Sequence, residues 1–241
     1  MSEAPSSIDP NAQLRRSFVW RKLAEMGARF AAVNGGAIAA DYGDGAAEDE
    51  RARRMGIADL SPLPRAGFKG TGAVEWLQFH GVEIGSDSNR AYRQSGGEMA
   101  LRLAPTEVLL LDSLAGGGGL MDRLNNAWRW GDERPRRPIG YPVPRADSHC
   151  WFALTGACCS EMFSKLCGVD LRLGSFAGGS VAQTSIAKMS GIILRDDFGD
   201  VPGFHLLADS ASADYLWDCL QDAMDEFDGG PVGLDALRRL A

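Results

Sequence analysis

Along this 241-residue chain the apolar positions switch repeatedly between a period of two and a period near 3.6, dividing it into strands and helices. Leu14 to Met26 places Phe18, Val19, Leu23 and Met26 on one face and Arg and Lys on the other, which predicts an amphipathic helix stopped by Gly27. Ala28 to Asp41 is extended and broken at Gly35-Gly36, a hairpin with its turn there. Ala46 to Met55 is charged and Ala-rich, a solvated helix ended by Gly56. Ile57 to Leu60 opens a strand, and Ser61-Pro62-Leu63-Pro64 is a stiff connection because neither proline can donate to a ladder. Glu98–Leu103 and Glu107–Leu111 flank Ala104-Pro105-Thr106 as a second hairpin, and Leu120 to Trp128 follows as a short helix. Val181–Lys188 and Gly191–Arg195 read as strands parting at Met189-Ser190, with another strand at Phe204–Ala208. Asp209 to Glu226 opens on the cap candidates Asp209, Ser210 and Ser212 and lines Leu216, Leu220, Ala223 and Met224 along one face, a helix. The tail from Gly229 adds a last helical turn.

One phrase occurs twice. Phe68-Lys69-Gly70-Thr71-Gly72-Ala73 leads into an apolar helical run ending at Gly81-Val82-Glu83. Phe152-Ala153-Leu154-Thr155-Gly156-Ala157 leads into another, three residues longer, ending at Gly168-Val169-Asp170. Two copies are too few for a solenoid. The expected fold is therefore α+β, built from duplicated β-α-β halves with mixed or antiparallel sheets and helices on their outer faces. In this division residues 1–13 form a flexible arm and 14–241 a single pseudo-symmetric domain. Its halves run over about 14–130 and 145–228, joined by a proline-rich crossover at 131–147, and the Thr-Gly-Ala turns at 71–73 and 155–157 are equivalent.

Composition narrows the function more than the fold. A net charge of −7 and a pI near 5.0 give no mark of a nucleic-acid or anionic-membrane binder. No apolar run approaches the roughly 20 residues that span a bilayer, and the first residues lack a secretory pattern, so the expected location is cytoplasmic. Cys150, Cys158, Cys159, Cys167 and Cys219 have neither zinc spacing nor a disulfide pattern and read as buried reduced thiols. No metal site is expected. Gly116–Gly119 is followed by Leu120-Met121-Asp122 and not by the Lys-Ser/Thr of a phosphate loop, so it reads as a flexible loop. Asp147 and His149 sit two apart at a strand entrance, and a structural hydrogen-bond network outweighs a catalytic pair there. His80 and His205 read as packing or surface residues. Trp128, Trp130 and the arginines Arg134, Arg136 and Arg137 have the composition of a protein interface.

Four longer phrases carry a family resemblance: Pro64-Arg65-Ala66-Gly67-Phe68-Lys69-Gly70, Pro144-Arg145-Ala146-Asp147-Ser148-His149-Cys150-Trp151, Leu166-Cys167-Gly168-Val169-Asp170-Leu171, and the stretch from Phe204 to Ser212. With the Gly96-Gly97 turn between the repeats, the chain over roughly 14–228 resembles the aminomethyltransferase (glycine-cleavage T-protein) folate-binding superfamily. Within it, the resemblance is to the gamma subunits of heterotetrameric sarcosine oxidases and of related N-methyl amino acid (methylglutamate) dehydrogenases. The C-terminal barrel of full-length transferases is missing.

That resemblance implies a non-catalytic structural subunit of a flavin-dependent enzyme of oxidative N-demethylation. FAD, FMN, NAD and tetrahydrofolate would then sit in partner subunits, the large alpha-type and beta-type flavoproteins. Departures from the family pattern point the same way. Its acidic pair after the Gly-Gly turn falls on Ala100 and Leu101, which cannot move a proton. Its pterin-binding glutamate falls in Phe198-Gly199-Asp200-Val201-Pro202-Gly203-Phe204. No catalytic residue is assigned, and Glu98, Asp147 and Asp200 are the weak candidates for a residual folate pocket. Each lost charged hydrogen bond costs about 2–3 kcal/mol, so the expectation is a cleft between the halves filled by apolar side chains, without folate. A carboxylate-lined cavity there would instead favour the alternative, a free-standing folate-dependent aminomethyl or methyl transferase. The Lys-Gly-Cys-Tyr-x-Gly-Gln-Glu phrase of the superfamily's iron–sulfur repair branch is absent.

Overall fold

The structure, a computed structural model, describes residues 7–128 and 140–241. It opens with β1 (Arg15–Arg16), α1 (Trp20–Glu25), β2 (Arg29–Val33), β3 (Gly36–Asp41), α2 (Gly45–Arg54) and β4 (Gly56–Asp59). Next come β5 (Arg65–Lys69), α3 (Ala73–Phe79), β6 (Arg90–Arg93), β7 (Met99–Ala104), β8 (Glu107–Leu111) and α4 (Gly119–Ala127). The second half contains β9 (Tyr141–Val143), α5 (Arg145–Ser148), β10 (His149–Thr155), α6 (Cys159–Ser164), β11 (Val181–Ile186), β12 (Met189–Arg195) and β13 (Gly203–Asp209). It closes with α7 (Ala213–Asp225), β14 (Gly230–Pro231) and α8 (Leu234–Leu240).

Two large sheets lie face to face between helices. One runs β6-β7-β8-β5-β9 and the other β11-β12-β13-β10-β4-β14, while β1-β3-β2 forms a small third. Strand alternation sends side chains to two different layers. Leu101, Leu103, Leu109 and Leu111 meet Trp151, Ala153, Leu194 and Leu207 between the sheets. Ala100, Val108 and Leu110 face outward onto α3 and α4. On the far side Phe152, Leu154, Phe204 and Leu206 pack on α6 and α7. This is the expected α+β arrangement with helices outermost.

The duplication is real, but its register is two residues from the one the Thr-Gly-Ala phrases suggest. The equivalent glycines are Gly70 (φ 134°) and Gly156 (φ 117°), which end β5 and β10 in backbone that disfavours any side chain. From there Ala73, Trp76 and Leu77 of α3 match Cys159, Met162 and Phe163 of α6 as the buried positions. Counted from these glycines, the second copy has one extra residue before its glycine stop, not three. A cross-exchange joins the halves. β4 precedes β5 in the chain but pairs with β10, whereas β9 precedes β10 but pairs with β5. Each half lends its leading strand to the other's sheet.

Several elements depart from expectation for local reasons. The helix expected at 14–26 is confined to 20–25, because Arg15-Arg16 pair with Gly36-Ala37 and the Ser17 hydroxyl donates to Asp59 while accepting from Val19 N. The hairpin turns fall at Asn34-Gly35 and Ala187-Lys188, all at positive φ, as a tight right-twisted hairpin requires. The tail forms a full helix, α8, whose Leu234, Ala236, Leu237 and Leu240 are buried. Ser7 and Ile8, within the expected arm, bond to both backbone groups of Phe30. Residues 129–139, including Trp130, Arg134, Arg136 and Arg137, lie outside the described residues. Trp128 packs edge-on against Trp76 at 4.8 Å and near Phe68 at 5.8 Å.

Arg65 ties down the point of exchange. Its five N–H groups donate to Ser61 O and Leu63 O on one side and to Arg145 O, Ala146 O and His149 O on the other. Burial lowers its pKa to about 10, so it is charged at neutral pH. Burial also lifts the nearby Asp59 carboxyl to about 6, against the Ser61 hydrogen bond and the Arg65 charge. Among the described residues no helix is long and apolar enough to cross a membrane.

Candidate functional site

At one end of the inter-sheet layer the sheets diverge and leave a cleft of about 500 Å³. The first half contributes Arg93 at the end of β6, the Gly96-Gly97 turn, Met99, Leu111 and Asp112. The second half contributes Trp151 of β10, Asp196 to Gly199 after β12, and His205 of β13. The expectation of an apolar filling is therefore overturned. The layer is closed by leucines only as far as Leu101, and beyond it the strand ends carry charge.

The polar groups form three networks. Trp151 Nε1 donates to His205 Nδ1 at 3.0 Å. Indole nitrogen only donates, so His205 carries its proton on Nε2, which faces Asp196 Oδ2 at 3.5 Å. Arg93 donates to the other oxygen of Asp196 across the cleft. Burial opposes the Asp196 charge, but His205 and Arg93 together hold its pKa below the usual carboxylate range. Asp112 accepts from Ser113 N at 3.0 Å and Gly118 N at 2.7 Å, and burial raises its pKa against those bonds. It thus caps the glycine run at the start of α4 with the protein's own carboxylate. Asp197 accepts from Arg195 Nε at 3.1 Å, Arg195 Nη2 at 3.0 Å and Gly203 N at 3.2 Å.

Both oxygens of Asp112, Asp196 and Asp197 therefore already have a partner in the protein, and both ring nitrogens of His205 are engaged. The cleft has the size and the aromatic wall to hold a flat polar molecule, but presents no nucleophile paired with a free base. A pterin ring needs a carboxylate to accept from its amino and imino hydrogens, and Asp112, Asp196 and Asp197 already spend acceptor sites on the protein's own donors, which makes them a poor fit to that requirement.

The expected candidates lie elsewhere. Glu98 is beside the Gly96-Gly97 turn and does not line the cleft. Asp147 is exposed, and its carbonyl accepts from Ser210. Asp200 is exposed and pairs with Arg53 at 3.1 Å. Asp147 and His149 do not pair. His149 Nδ1 meets Ser148 Oγ at 2.8 Å and Nε2 meets Arg145 Nη1 at 3.1 Å, while burial and then Arg145 lower its pKa to about 4. His80 stacks on Trp76 at 4.4 Å. Burial pushes the Cys150 thiol up to about 12 and the Cys159 thiol higher still. Among the described residues no three His, Cys, Asp or Glu side chains converge on a metal position. The sequence reading missed Asp112, Asp196, Asp197 and His205. Its available signal was an acid at the end of each apolar run, Val108–Leu111 and Ile192–Leu194.

No protein-family profile matches the chain. An aminomethyltransferase of Parafrankia sp. (strain EAN1pec) is 28% identical over 247 aligned positions, covering 93% of this chain and 62% of that protein. The glycine cleavage system aminomethyltransferase T of Bartonella henselae superposes with a TM-score of 0.70 at 17% identity, over 94% of this chain and 62% of that one. This chain has the aminomethyltransferase fold. A chain of the heterotetrameric sarcosine oxidase from Corynebacterium sp. U-96, in complex with pyrrole 2-carboxylate, superposes with a TM-score of 0.65 at 22% identity. That match covers 90% of this chain and 98% of the other. The chain thus spans somewhat under two thirds of the aminomethyltransferases it matches.

Proposed function

We propose that this chain is a structural subunit of a multi-subunit, flavin-dependent sarcosine oxidase or related N-methyl amino acid dehydrogenase, without a catalytic site of its own. FAD, FMN, NAD and tetrahydrofolate, together with oxidative N-demethylation, belong in this reading to large alpha-type and beta-type flavoprotein partners in the cytoplasm. The observation that carries it lies at the acidic-pair positions, where Leu101 packs between the sheets and Ala100 packs onto α3 and α4, so neither brings an acid to the cleft. The cleft side chains agree, since Asp112, Asp196 and Asp197 already accept from the protein's own donors.

One observation favours the second reading, a free-standing folate-dependent transferase: the cleft is open and its rim is acidic. It ranks below the subunit reading because an open cleft supplies space but no free acid. Titration calorimetry of the isolated chain with tetrahydrofolate separates the two. The subunit reading expects no saturable heat, and expects co-purification with co-expressed flavoprotein partners. A monomer that binds tetrahydrofolate and ignores those partners overturns it.

A further inference from the structure

A basic, apolar surface patch opens the described chain, which is otherwise acid-rich. Arg15, Arg16 and Arg21 have no carboxylate partner among the described residues, and Arg16 and Arg21 place their guanidinium carbons 5.6 and 5.0 Å from the Trp20 ring centroid. Leu14 is 94% exposed, with Phe18 at 40% and Met26 at 44%. The acidic helix α7 lies alongside. Lys22 of α1 bridges to it, with Nζ 2.7 Å from Asp218 and 3.4 Å from Asp214. Beyond that bridge α7 exposes Asp222 and Asp225, neither ion-paired among the described residues, and Tyr215, 49% exposed. Four of the seven large hydrophobic side chains exposed among the described residues thus lie in residues 14–26 and on α7.

We propose that this face is a two-fold contact between two copies of the chain, the Arg15, Arg16 and Arg21 patch of each meeting the Asp222 and Asp225 stripe of the other around Leu14 and Phe18. A two-fold interface uses the same surface on both partners, so that surface must complement itself. A basic patch alone would repel its own copy. Here the two signs are carried by neighbouring segments joined by the Lys22 bridge, so a half-turn about an axis near that bridge can bring each sign onto its opposite. Trp flanked by Arg, with exposed aliphatic and aromatic neighbours, is the composition of an interface centre and not of a solvated rim.

Sedimentation velocity on the full chain, without any partner, tests the contact. The expected species is a dimer at micromolar concentration and low salt, its dissociation constant rising at least roughly tenfold between ~20 mM and ~500 mM salt. Arg16→Glu/Arg21→Glu reverses most of the basic patch and Asp222→Lys/Asp225→Lys reverses the acidic stripe, so each variant opposes like charges across the contact. Each variant is expected to sediment as a monomer, and an equimolar mixture of the two to recover the dimer. Mixing cannot rescue a misfolded protein, so recovery isolates the surface effect. A wild-type monomer at all concentrations, variants that stay dimeric, or a mixture of well-folded variants that stays monomeric would overturn the proposal.

Discussion

Arg65→Lys changes one side chain while keeping its charge, so it measures what the fork geometry contributes where the strands are exchanged. All five guanidinium hydrogens are used, two on the 61–63 connection and three on the start of the second half. Lysine offers three donors from a single point, so at least two of the five carbonyls lose their partner. At roughly 1–3 kcal/mol for each unsatisfied group, the expected loss is about 2–6 kcal/mol, nearer the lower end because three of the five contacts are only part-buried. Arg65→Met strips all five and leaves the buried Asp59 without its neighbouring cation, for which about 3–5 kcal/mol is expected. Urea unfolding reads both directly, as a fall in midpoint with unchanged slope. If lysine lies within about 0.5 kcal/mol of wild type, or methionine is no worse than lysine, Arg65 does not hold the halves together in this way.

Other outcomes follow from the same geometry. Asp59, raised to about 6, keeps a proton in the folded state that the unfolded chain releases near 3.8, so it lowers stability by about 3 kcal/mol as pH rises through that window. His149, lowered to about 4, has the opposite sign: stability falls as pH drops from about 6.5, by about 1–2 kcal/mol after discounting its partial exposure. Asp59→Asn should therefore leave stability rising with pH between 4 and 6.5, and His149→Gln should leave it falling; equal slopes in the two variants would contradict the assignment. Gly156→Ala places a methyl 2.4 Å from the Arg54 carbonyl at a φ of 117°, and a melting scan should show a loss of roughly 3 kcal/mol or more. Ala100→Asp should restore no transfer activity and should destabilise the fold, because position 100 faces α3 and α4 and not the cleft.

The element order was legible because periodicity and turn residues agree along most of the chain. Errors came where a tertiary contact overrode local pattern. Phe18, Leu23 and Met26 have helical spacing, but the buried hydroxyl of Ser17 and the pairing of Arg15-Arg16 with β3 keep the helix from starting before Trp20. The duplication was legible as a repeat but not in register, because Thr71-Gly72 and Thr155-Gly156 look alike while only a glycine at positive φ marks the structural equivalence. The cleft was the least legible part. Asp112, Asp196 and His205 come from three different strand ends, and nothing local brings them together.

The exchange of β4 and β9 explains why the cleft stays open. Each sheet contains a strand from the other half, so neither wall can slide inward to close the gap without breaking a ladder. Arg93 and Asp196, from opposite walls, then bridge the gap with a charge pair where apolar side chains would have to fill it. Filling the cleft would demand new volume from both walls at once, because close-packed cores tolerate little uncoordinated change. The openness of the cleft is therefore a consequence of the strand exchange and by itself assigns no chemistry, so it weighs less than the side chain that Leu101 sends into the layer. A free acid would favour the transferase reading, and in this cleft both oxygens of Asp112, Asp196 and Asp197 already have partners in the protein.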